Sequence, residues 1–303
     1  MNFASNEVIG NKPDWKWDQL LDAIQCLKPN GNQWVFRAVD KWEEKATSTS
    51  EYEVPITSSF DDAWERRTGS KLPGDRRLYE SWILSDFKRE AHNYLGHLPE
   101  PSNFLEWMAL GRHYGMPSRL VDFTYSFPVA AYFALSRRKK NELGRIVALN
   151  LTWMKKDWEE RRRRMYTNFT EKQASFHSEE LFHHFAFVRQ DTYAVVVNPL
   201  RRNPRLANQK GCFLCPGNIE EDVDQNLAQT VGRTPDVKKL VCLHPDLKTT
   251  AMKALAGMNV SQATLYPDLS GWAESRRDLV HFDIPDDRFK EELEIAISMP
   301  PRI

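Results

Sequence analysis

The stretch LGRHYGMPSRLVDFTYSFPVAAYFA (Leu110–Ala134) joins the end of one helix to the start of another through a single short strand. Gly115 supplies the left-handed residue that often ends a helix, and Pro117 prevents the helix from continuing. The apolar run that follows predicts a strand, and Pro128 suits the first turn of a new helix. A helix end, a strand and a helix start therefore meet here. We expect their polar side chains to line one cleft.

Outside this stretch, helical and strand patterns mix without the regular strand-helix-strand spacing of a doubly wound sheet. We therefore predict an α+β fold with a mixed or antiparallel sheet core flanked by helices. Apolar residues at helical spacing predict helices over residues 17–27, 78–95, 103–114 and 245–258, and a last helix after residue 261. β-branched runs predict strands over residues 33–39, 144–153, 192–200 and 238–243.

Some segments carry more specific predictions. Residues 45–73 are rich in Ser and Thr and predict a loop or lid. Asn103 and Glu106 predict a capping box. In YPDLSGWA (266–273), Asp268 suits the positive end of a helix and Gly271 allows close packing. The helix over residues 78–95 is predicted to bury one face, formed by Leu78, Trp82, Ile83, Phe87 and Ala91.

The composition offers no global attraction to nucleic acid or to an anionic membrane, because 42 Lys and Arg residues balance 42 Asp and Glu residues. No apolar run approaches the roughly 18 residues that cross a bilayer, and the N-terminus lacks a signal-peptide pattern. We expect a cytoplasmic protein with no membrane partner. The run Arg161–Arg164 predicts a solvated helix face, with nucleic-acid binding as the alternative. Cys212 and Cys215 lack a second ligand pair at zinc spacing, so we predict a strand and no metal site.

Three charged residues of the predicted strands need partners. Arg37 lies in an apolar strand, where a guanidinium must be paired or must bind an anion. It either forks onto a phosphate of a nucleotide or forks onto Asp122. Arg119 and Asp122 are three residues apart, too close in a strand to face the same side. One is expected to face the core and the other the pocket; the alternative is a buried brace that holds the turn.

Other polar residues of the stretch also have two interpretations each. His113 suits a helix C-terminus, and Tyr114 either stacks on a ligand ring or packs in the core. Thr124 and Ser126 either cap the following helix or face an anion at its N-terminus, and both roles are compatible. Gln209, predicted to lie in a strand next to Gly211, is difficult to explain by packing, and we favour a place in the pocket.

Four segments, taken together, resemble the FRG domain family. They are VFRA (35–38), RHYGMPSRLVDFTYSFPVAAYFA (112–134), NPRLANQKGCF (203–213) and ATLYPDLSGWA (263–273), in the order found in the family. Two positions depart from its pattern: Ala38 replaces the glycine of the Phe-Arg-Gly signature, and Arg112 stands where the family usually has glutamine. The resemblance implies an FRG domain over residues 31–280, an N-terminal helical extension over 1–30 and a C-terminal tail over 281–303.

The order of elements is also similar, more remotely, to the ADP-ribosyltransferase fold. That resemblance implies NAD as substrate, held by Arg37 at the pyrophosphate, Tyr114 at a ring, and Thr124 and Ser126 at the nicotinamide ribose, with Arg119 and Asp122 also at the cofactor. Gln209 stands where the fold has its catalytic acid. A glutamine can orient a ribose hydroxyl but cannot take its proton.

Two classes of function follow from these resemblances. The first is an enzyme that transfers ADP-ribose to a protein or nucleic-acid acceptor or hydrolyses NAD, acting as a toxin or phage-defence effector. The second is a non-catalytic module that senses a nucleotide or binds a protein or nucleic-acid partner. Arg37 and the strand-to-helix segment at Thr124 favour the enzyme, whereas the absence of an acid at Gln209 favours the module.

Overall fold

The computed structural model of the protein describes residues 9–10, 15–27, 31–39, 43–44, 52–53, 56–68, 75–136, 138, 141–165, 167, 179–231, 237–277 and 294. Its helices are α1 (Trp17–Cys26), α2 (Ser59–Thr68), α3 (Arg76–Glu90), α4 (Phe104–His113), α5 (Phe127–Ser136), α6 (Leu151–Met165), α7 (Glu179–His183), α8 (Pro204–Asn208), α9 (Val223–Val231), α10 (Lys248–Gly257), α11 (Gln262–Leu265) and α12 (Leu269–Ser275). A π-helical segment, His184–Arg189, continues α7.

The strands are β1 (Trp34–Ala38), β2 (Glu43–Glu44), β3 (Tyr52–Glu53), β4 (Val121–Thr124), β5 (Gly144–Asn150), β6 (Ala194–Val197), β7 (Gly211–Pro216) and β8 (Lys238–Leu243). Six of them form one sheet in the order β6-β7-β4-β1-β5-β8, and every neighbouring pair is antiparallel. Strands β2 and β3 form a separate two-stranded ribbon. The α+β prediction is confirmed, with an antiparallel sheet core flanked by helices.

Three hydrophobic clusters surround the sheet. On one face, Phe36 of β1 packs with α1, α5 and α10 in the first cluster. On the same face, Phe213 of β7 packs with α3, α4 and α7 in the second cluster. The third cluster lies on the opposite face and joins Val35 and Val147 to α6 and α9. The first face is therefore covered by two separate groups of helices.

Three helix ends carry residues that the sequence analysis singled out. Asn103 accepts a hydrogen bond from the backbone N–H of Glu106 at the start of α4, and Gly115 follows that helix with a φ of +89°. The capping box is only half formed, because the Glu106 carboxylate accepts the N–H of Arg201 instead of that of Asn103. Asp268 caps α12 through the N–H of Gly271. A Cβ on Gly271 would lie 2.0 Å from the carbonyl oxygen of Tyr266, so the close packing predicted for this glycine is confirmed.

The prediction of a loop over residues 45–73 is wrong for residues 59–68, which form α2. Ser58 and Asp61 exchange hydrogen bonds at its start: the N–H of Ser58 donates to the Asp61 carboxylate, and the N–H of Asp61 donates to Ser58 Oγ. Phe60 and Trp64, four residues apart, are both buried. A capping pair and an apolar i, i+4 pair therefore outweigh the turn-prone composition.

The face predicted for the helix over residues 78–95 is also wrong in part. Leu78 and Trp82 of α3 are exposed to 67% and 62%, whereas Arg76 and Glu80 are buried. The buried charges are paired, Arg76 with Asp61 and Glu80 with Arg119. Helix α3 therefore turns its ion-pairing side inward, and the apolar spacing alone could not indicate this.

The strand predicted over residues 144–153 ends earlier, at Asn150. The side-chain oxygen of Asn150 accepts a hydrogen bond from the N–H of Trp153, which is an N-cap contact, and α6 begins at Leu151. Cys212 and Cys215 lie in β7 as predicted, are buried, and belong to different clusters on opposite faces. Burial raises the pKa of the Cys215 thiol to about 12.

Helix α1, predicted as part of an extension over 1–30, packs Trp17, Leu20 and Ile24 into the same cluster as Phe36. The domain boundaries stay predictions, and the tail predicted over 281–303 lies outside the described residues apart from Glu294. Within the described ranges, no helix combines the length and the apolar character that a bilayer crossing requires.

Candidate functional site

A polar seam runs along β4 between the two groups of helices that cover the first face of the sheet. Thr124 pairs with Phe36 of β1, and Asp122 pairs with Phe213 of β7. Side chains alternate along a strand, so Asp122 and Thr124 point to the face that carries both phenylalanines. Phe36 and Phe213 belong to different clusters. The seam is therefore the gap between two hydrophobic layers.

Asp122 is the polar centre of this seam. Its side chain is 45% exposed, although the neighbouring strand residues Val121 and Phe123 are exposed to only 1% and 3%. Both hydrogen bonds that its carboxylate receives come from Arg112 of α4, and both end on Oδ2, at 3.1 Å from Nε and 2.6 Å from a terminal nitrogen. Among the described residues, Oδ1 accepts no hydrogen bond. A central strand thus presents a half-open carboxylate.

Arg37 of β1 alternates with Phe36, so its side chain starts on the face opposite the Asp122 side chain, and it contacts the backbone of Asp122. A terminal nitrogen of its guanidinium donates to the backbone carbonyl of Asp122 at 2.7 Å, across a sequence separation of 85 residues. Strands β1 and β4 are paired only at Phe36 and Thr124, whereas β1 and β5 are paired along all five residues of β1. The sheet therefore opens between β1 and β4, and Arg37 bridges the opening at Asp122.

The C-terminal end of β4 contacts the turn between α8 and β7. The Thr124 hydroxyl donates to the carbonyl of Gln209 at 2.7 Å and accepts the N–H of Ser126 at 3.0 Å, just before α5. Gln209 is the C-cap residue of α8, so its prediction as a strand residue is wrong. Its side-chain amide donates to the carbonyl of Leu265 at 3.3 Å. Lys210 completes the turn with a left-handed φ of +47°.

Residues of α4, α8 and the start of α12 lie near one another at one end of the seam. His113 ends α4, and the charges of Arg205 on α8 and Asp268 at the start of α12 both act on it. Burial, followed by the repulsion from Arg205, lowers the pKa of the His113 imidazole. The Arg205 guanidinium lies 4.5 Å from the centre of the Tyr266 ring. Tyr114 is 58% exposed, which excludes core packing for its ring.

Arg119 lies elsewhere. It is 1% exposed and donates to both carboxylate oxygens of Glu80, as well as to the carbonyls of Ala186, Pro216 and Gly217. All of these acceptors belong to the protein, so Arg119 takes the position of a buried brace. Asp122 faces the seam. Arg119 therefore faces the core, whereas the place of Asp122 in a ligand pocket stays a prediction.

Sequence reasoning missed two cations of the seam, Arg112 and Arg205. Arg112 was noted only as a departure from the family pattern, yet it is the partner of Asp122. Its position in the last turn of α4, directly before the helix stop at Gly115, is the signal that places it beside β4. Arg205 lies in a segment of the family pattern but was not singled out. Across the described ranges, no three His, Cys, Asp or Glu residues form a group able to hold a metal ion.

These observations define an α+β protein with a part-exposed carboxylate, Asp122, at the centre of an antiparallel sheet. Comparison with protein families finds a match between the FRG domain and residues 35–143 of this chain. The match runs from β1 through α5 and includes Arg37, Arg112, Asp122 and Thr124, but neither Arg205 nor Gln209. No curated protein and no solved structure matches the chain.

Proposed function

We propose that the seam over β4 binds NAD or a related nucleotide, with Asp122 as the residue that receives a ribose hydroxyl. The observation that carries this proposal is the half-open carboxylate of Asp122, held by Arg112 on one oxygen only. A ribose hydroxyl is a hydrogen-bond donor, and a carboxylate oxygen is its strongest side-chain acceptor. The apolar layers on either side of the seam strengthen such a bond by lowering the local dielectric.

The cations around the seam suit the phosphates of the same ligand. Arg112 lies beside Asp122, and Arg205 lies near enough to His113 to lower its pKa. Guanidinium groups bind phosphate oxygens in a bidentate manner. The exposed ring of Tyr114 offers a face for a base or a nicotinamide ring. Arg37 acts here as a positioning residue, because it holds the opened strands at the Asp122 carbonyl.

Ser126 and Thr124 lie at the start of α5, and the N–H of Ser126 is already satisfied by Thr124. Their proposed contribution is therefore to shape the ribose end of the cleft rather than to bind the phosphates. Arg119 is not included among the ligand contacts, because the protein itself accepts hydrogen bonds from its three guanidinium nitrogens.

Within this proposal, the finer assignment is an ADP-ribosyltransferase or NAD hydrolase acting as an intracellular effector. Breaking the bond between ribose C1′ and the nicotinamide nitrogen leaves positive charge on the ribose, which a nearby carboxylate stabilises. Asp122 would supply that carboxylate, and water or an acceptor side chain would attack C1′. Gln209 would orient the ribose through its amide but cannot take a proton.

The rival function is a nucleotide-sensing module without turnover. It is favoured by Gln209, whose amide donates to the Leu265 carbonyl and which brings no acid to the seam. The two functions differ in one measurable product, released nicotinamide, which only the enzyme forms. We expect NAD and ADP-ribose to raise the melting temperature of the protein in both cases, by mass action on the folded state.

The deciding experiment incubates purified protein with NAD and measures released nicotinamide and ADP-ribosylated residues by mass spectrometry. The enzyme function predicts nicotinamide release that Asp122→Asn abolishes even at NAD concentrations high enough to raise the melting temperature of that variant. Stabilisation by NAD without nicotinamide release would instead assign the sensing function. If neither NAD nor ADP-ribose changes the melting temperature, the proposal fails.

A further inference from the structure

A pocket lies away from the seam, beside the second hydrophobic cluster. It is a cavity of about 260 Å³ between α3, α4, α7 and the π-helical segment. Its lining includes Arg77, Ser85 and Lys88 of α3, Phe104 of α4, and His183 and Phe187. The two sites share no residue. Ligand pockets typically measure about 300–1,000 Å³, so this one suits a molecule built on a single ring.

The charge of this pocket is one-sided. Arg77 and Lys88 are the cations of its lining, the pKa of His183 is lowered by burial, and none of its lining residues is an Asp or a Glu. The Lys88 ammonium donates to the carbonyl of Pro101 at 3.1 Å, and no carboxylate of the described residues lies within the 4.0 Å of an ion pair. Burial lowers the pKa of Lys88, as expected for an ammonium that lacks a counter-ion.

The Lys88 ammonium has three N–H donors, and the carbonyl of Pro101 accepts one of them. The charge lies 4.3 Å from the centre of the Phe104 ring and 5.6 Å from that of Trp107. Aromatic faces attract the cation but accept its hydrogen bonds only weakly. An anion in the cavity would therefore supply the negative charge and the hydrogen-bond acceptors that the described residues do not offer to the Lys88 ammonium.

Aromatic rings form the apolar side of the pocket. The ring centre of His183 lies 4.5 Å from that of Phe104 and 5.6 Å from that of Phe187, and the second pair is stacked with an interplanar angle of 18°. Phe187 belongs to the π-helical segment His184–Arg189. π-helical segments are rare in proteins, and those that occur often lie at functional sites. A flat ring would find matching surfaces on these walls.

We propose that this pocket binds a small anion that carries one planar ring, with its carboxylate or phosphate on Lys88 and its ring against Phe104 and Phe187. The ligand is an aromatic carboxylate or an aryl phosphate. Ser85 lies at the rim and offers a hydroxyl to the same anionic group. This site goes beyond the nucleotide seam, and its test does not depend on it.

Isothermal titration calorimetry with phenyl phosphate and with benzoate tests the proposal on the full chain. Inorganic phosphate serves as the probe without a ring, and phenol as the probe without a full charge. At least one of the two aromatic anions should bind, and Lys88→Met should weaken that binding about 10- to 100-fold, the range for losing a charged hydrogen-bond partner. Lys156→Met, on the exposed side of α6, is the matched control and should leave it unchanged.

The relative affinity of phenyl phosphate and benzoate distinguishes a phosphate ligand from a carboxylate ligand. If Lys88→Met fails to fold, Ser85→Phe, at an exposed position of α3, should block binding of the aromatic anion. The proposal is overturned if neither aromatic anion binds, if inorganic phosphate or phenol binds as tightly as the aromatic anions, or if Lys156→Met weakens binding as much as Lys88→Met.

Discussion

Arg119 and Asp122 are only three residues apart, yet the first is a buried structural charge and the second is accessible to solvent. Arg119 is 1% exposed and ends on protein acceptors, whereas the Asp122 side chain is 45% exposed and pairs with Arg112. Strand alternation predicted that the two would face different sides. Strand alternation could not predict which of the two residues would be buried. The burial of Arg119 depends on its ion pair with Glu80, which is 39 residues away in sequence.

The first prediction concerns the buried ion pair of Arg119 and Glu80. Arg119→Met should destabilise the protein by about 3–5 kcal/mol, because it leaves the Glu80 carboxylate buried without a partner. The double substitution Arg119→Met with Glu80→Met should recover a large part of the loss. Urea unfolding of both variants measures this. A double variant no more stable than the single one would show that the carbonyl contacts of Arg119, not the ion pair, are what the fold requires.

The second prediction concerns His113, whose pKa is lowered by burial, with repulsion from Arg205 as a smaller cause. The unfolded chain then binds more protons than the folded protein just below the ordinary pKa of about 6.5. The contribution of His113 to stability is full above that pH and is lost as the pH falls through the folded pKa. His113→Gln should therefore reduce the decline in stability between about pH 7 and pH 5.

NMR titration of His113 checks this, together with urea midpoints at the two pH values. His183, whose pKa is also lowered by burial, should account for part of the decline that remains in the variant. A folded-state pKa of His113 at or above 6.5 would contradict the burial of its imidazole and its placement beside Arg205.

Helix α3 shows where element-scale reasoning from apolar spacing reaches its limit. The spacing correctly predicted a helix, and Leu84 is buried, but Leu78 and Trp82 point outward while Arg76 and Glu80 point inward. The ion pairs that reverse this face come from distant elements. For α2 the difficulty is different. The capping pair Ser58 and Asp61 is visible in the sequence, but the Ser- and Thr-rich composition around it favours the prediction of a loop.

The third prediction compares two leucines of α3. Leu84→Ala should cost about 2–5 kcal/mol of unfolding free energy, because Leu84 is buried in the second cluster. Leu78→Ala, at a position that is 67% exposed, should change it by no more than about 0.5 kcal/mol. Chemical denaturation of both variants gives the comparison. Equal costs would support the face originally expected from the sequence.

At the scale of the whole molecule, the seam forms because two groups of helices cover one face of the sheet and leave β4 between them. The sequence predicted the α+β class, most of the strands, and the order helix, strand, helix within Leu110–Ala134. It named Asp122 as one of two partners for Arg37, but it could not predict that the acceptor is the backbone carbonyl, nor that Thr124 bonds to the Gln209 carbonyl, each across 85 residues. Such contacts depend on strand order, which local patterns do not contain.

The central claim is that Asp122 and Arg112 bind a nucleotide in this seam. Calorimetry tests this claim by titrating ADP-ribose into the wild type and into the variants Asp122→Asn and Arg112→Gln. The matched controls are Asp22→Asn, on the exposed side of α1, and Arg163→Gln, on the exposed side of α6. We predict binding to the wild type and both controls, and losses of about 1.5–3 kcal/mol in the two seam variants. Absence of binding to the wild type, or equal affinity in all five proteins, would contradict the claim.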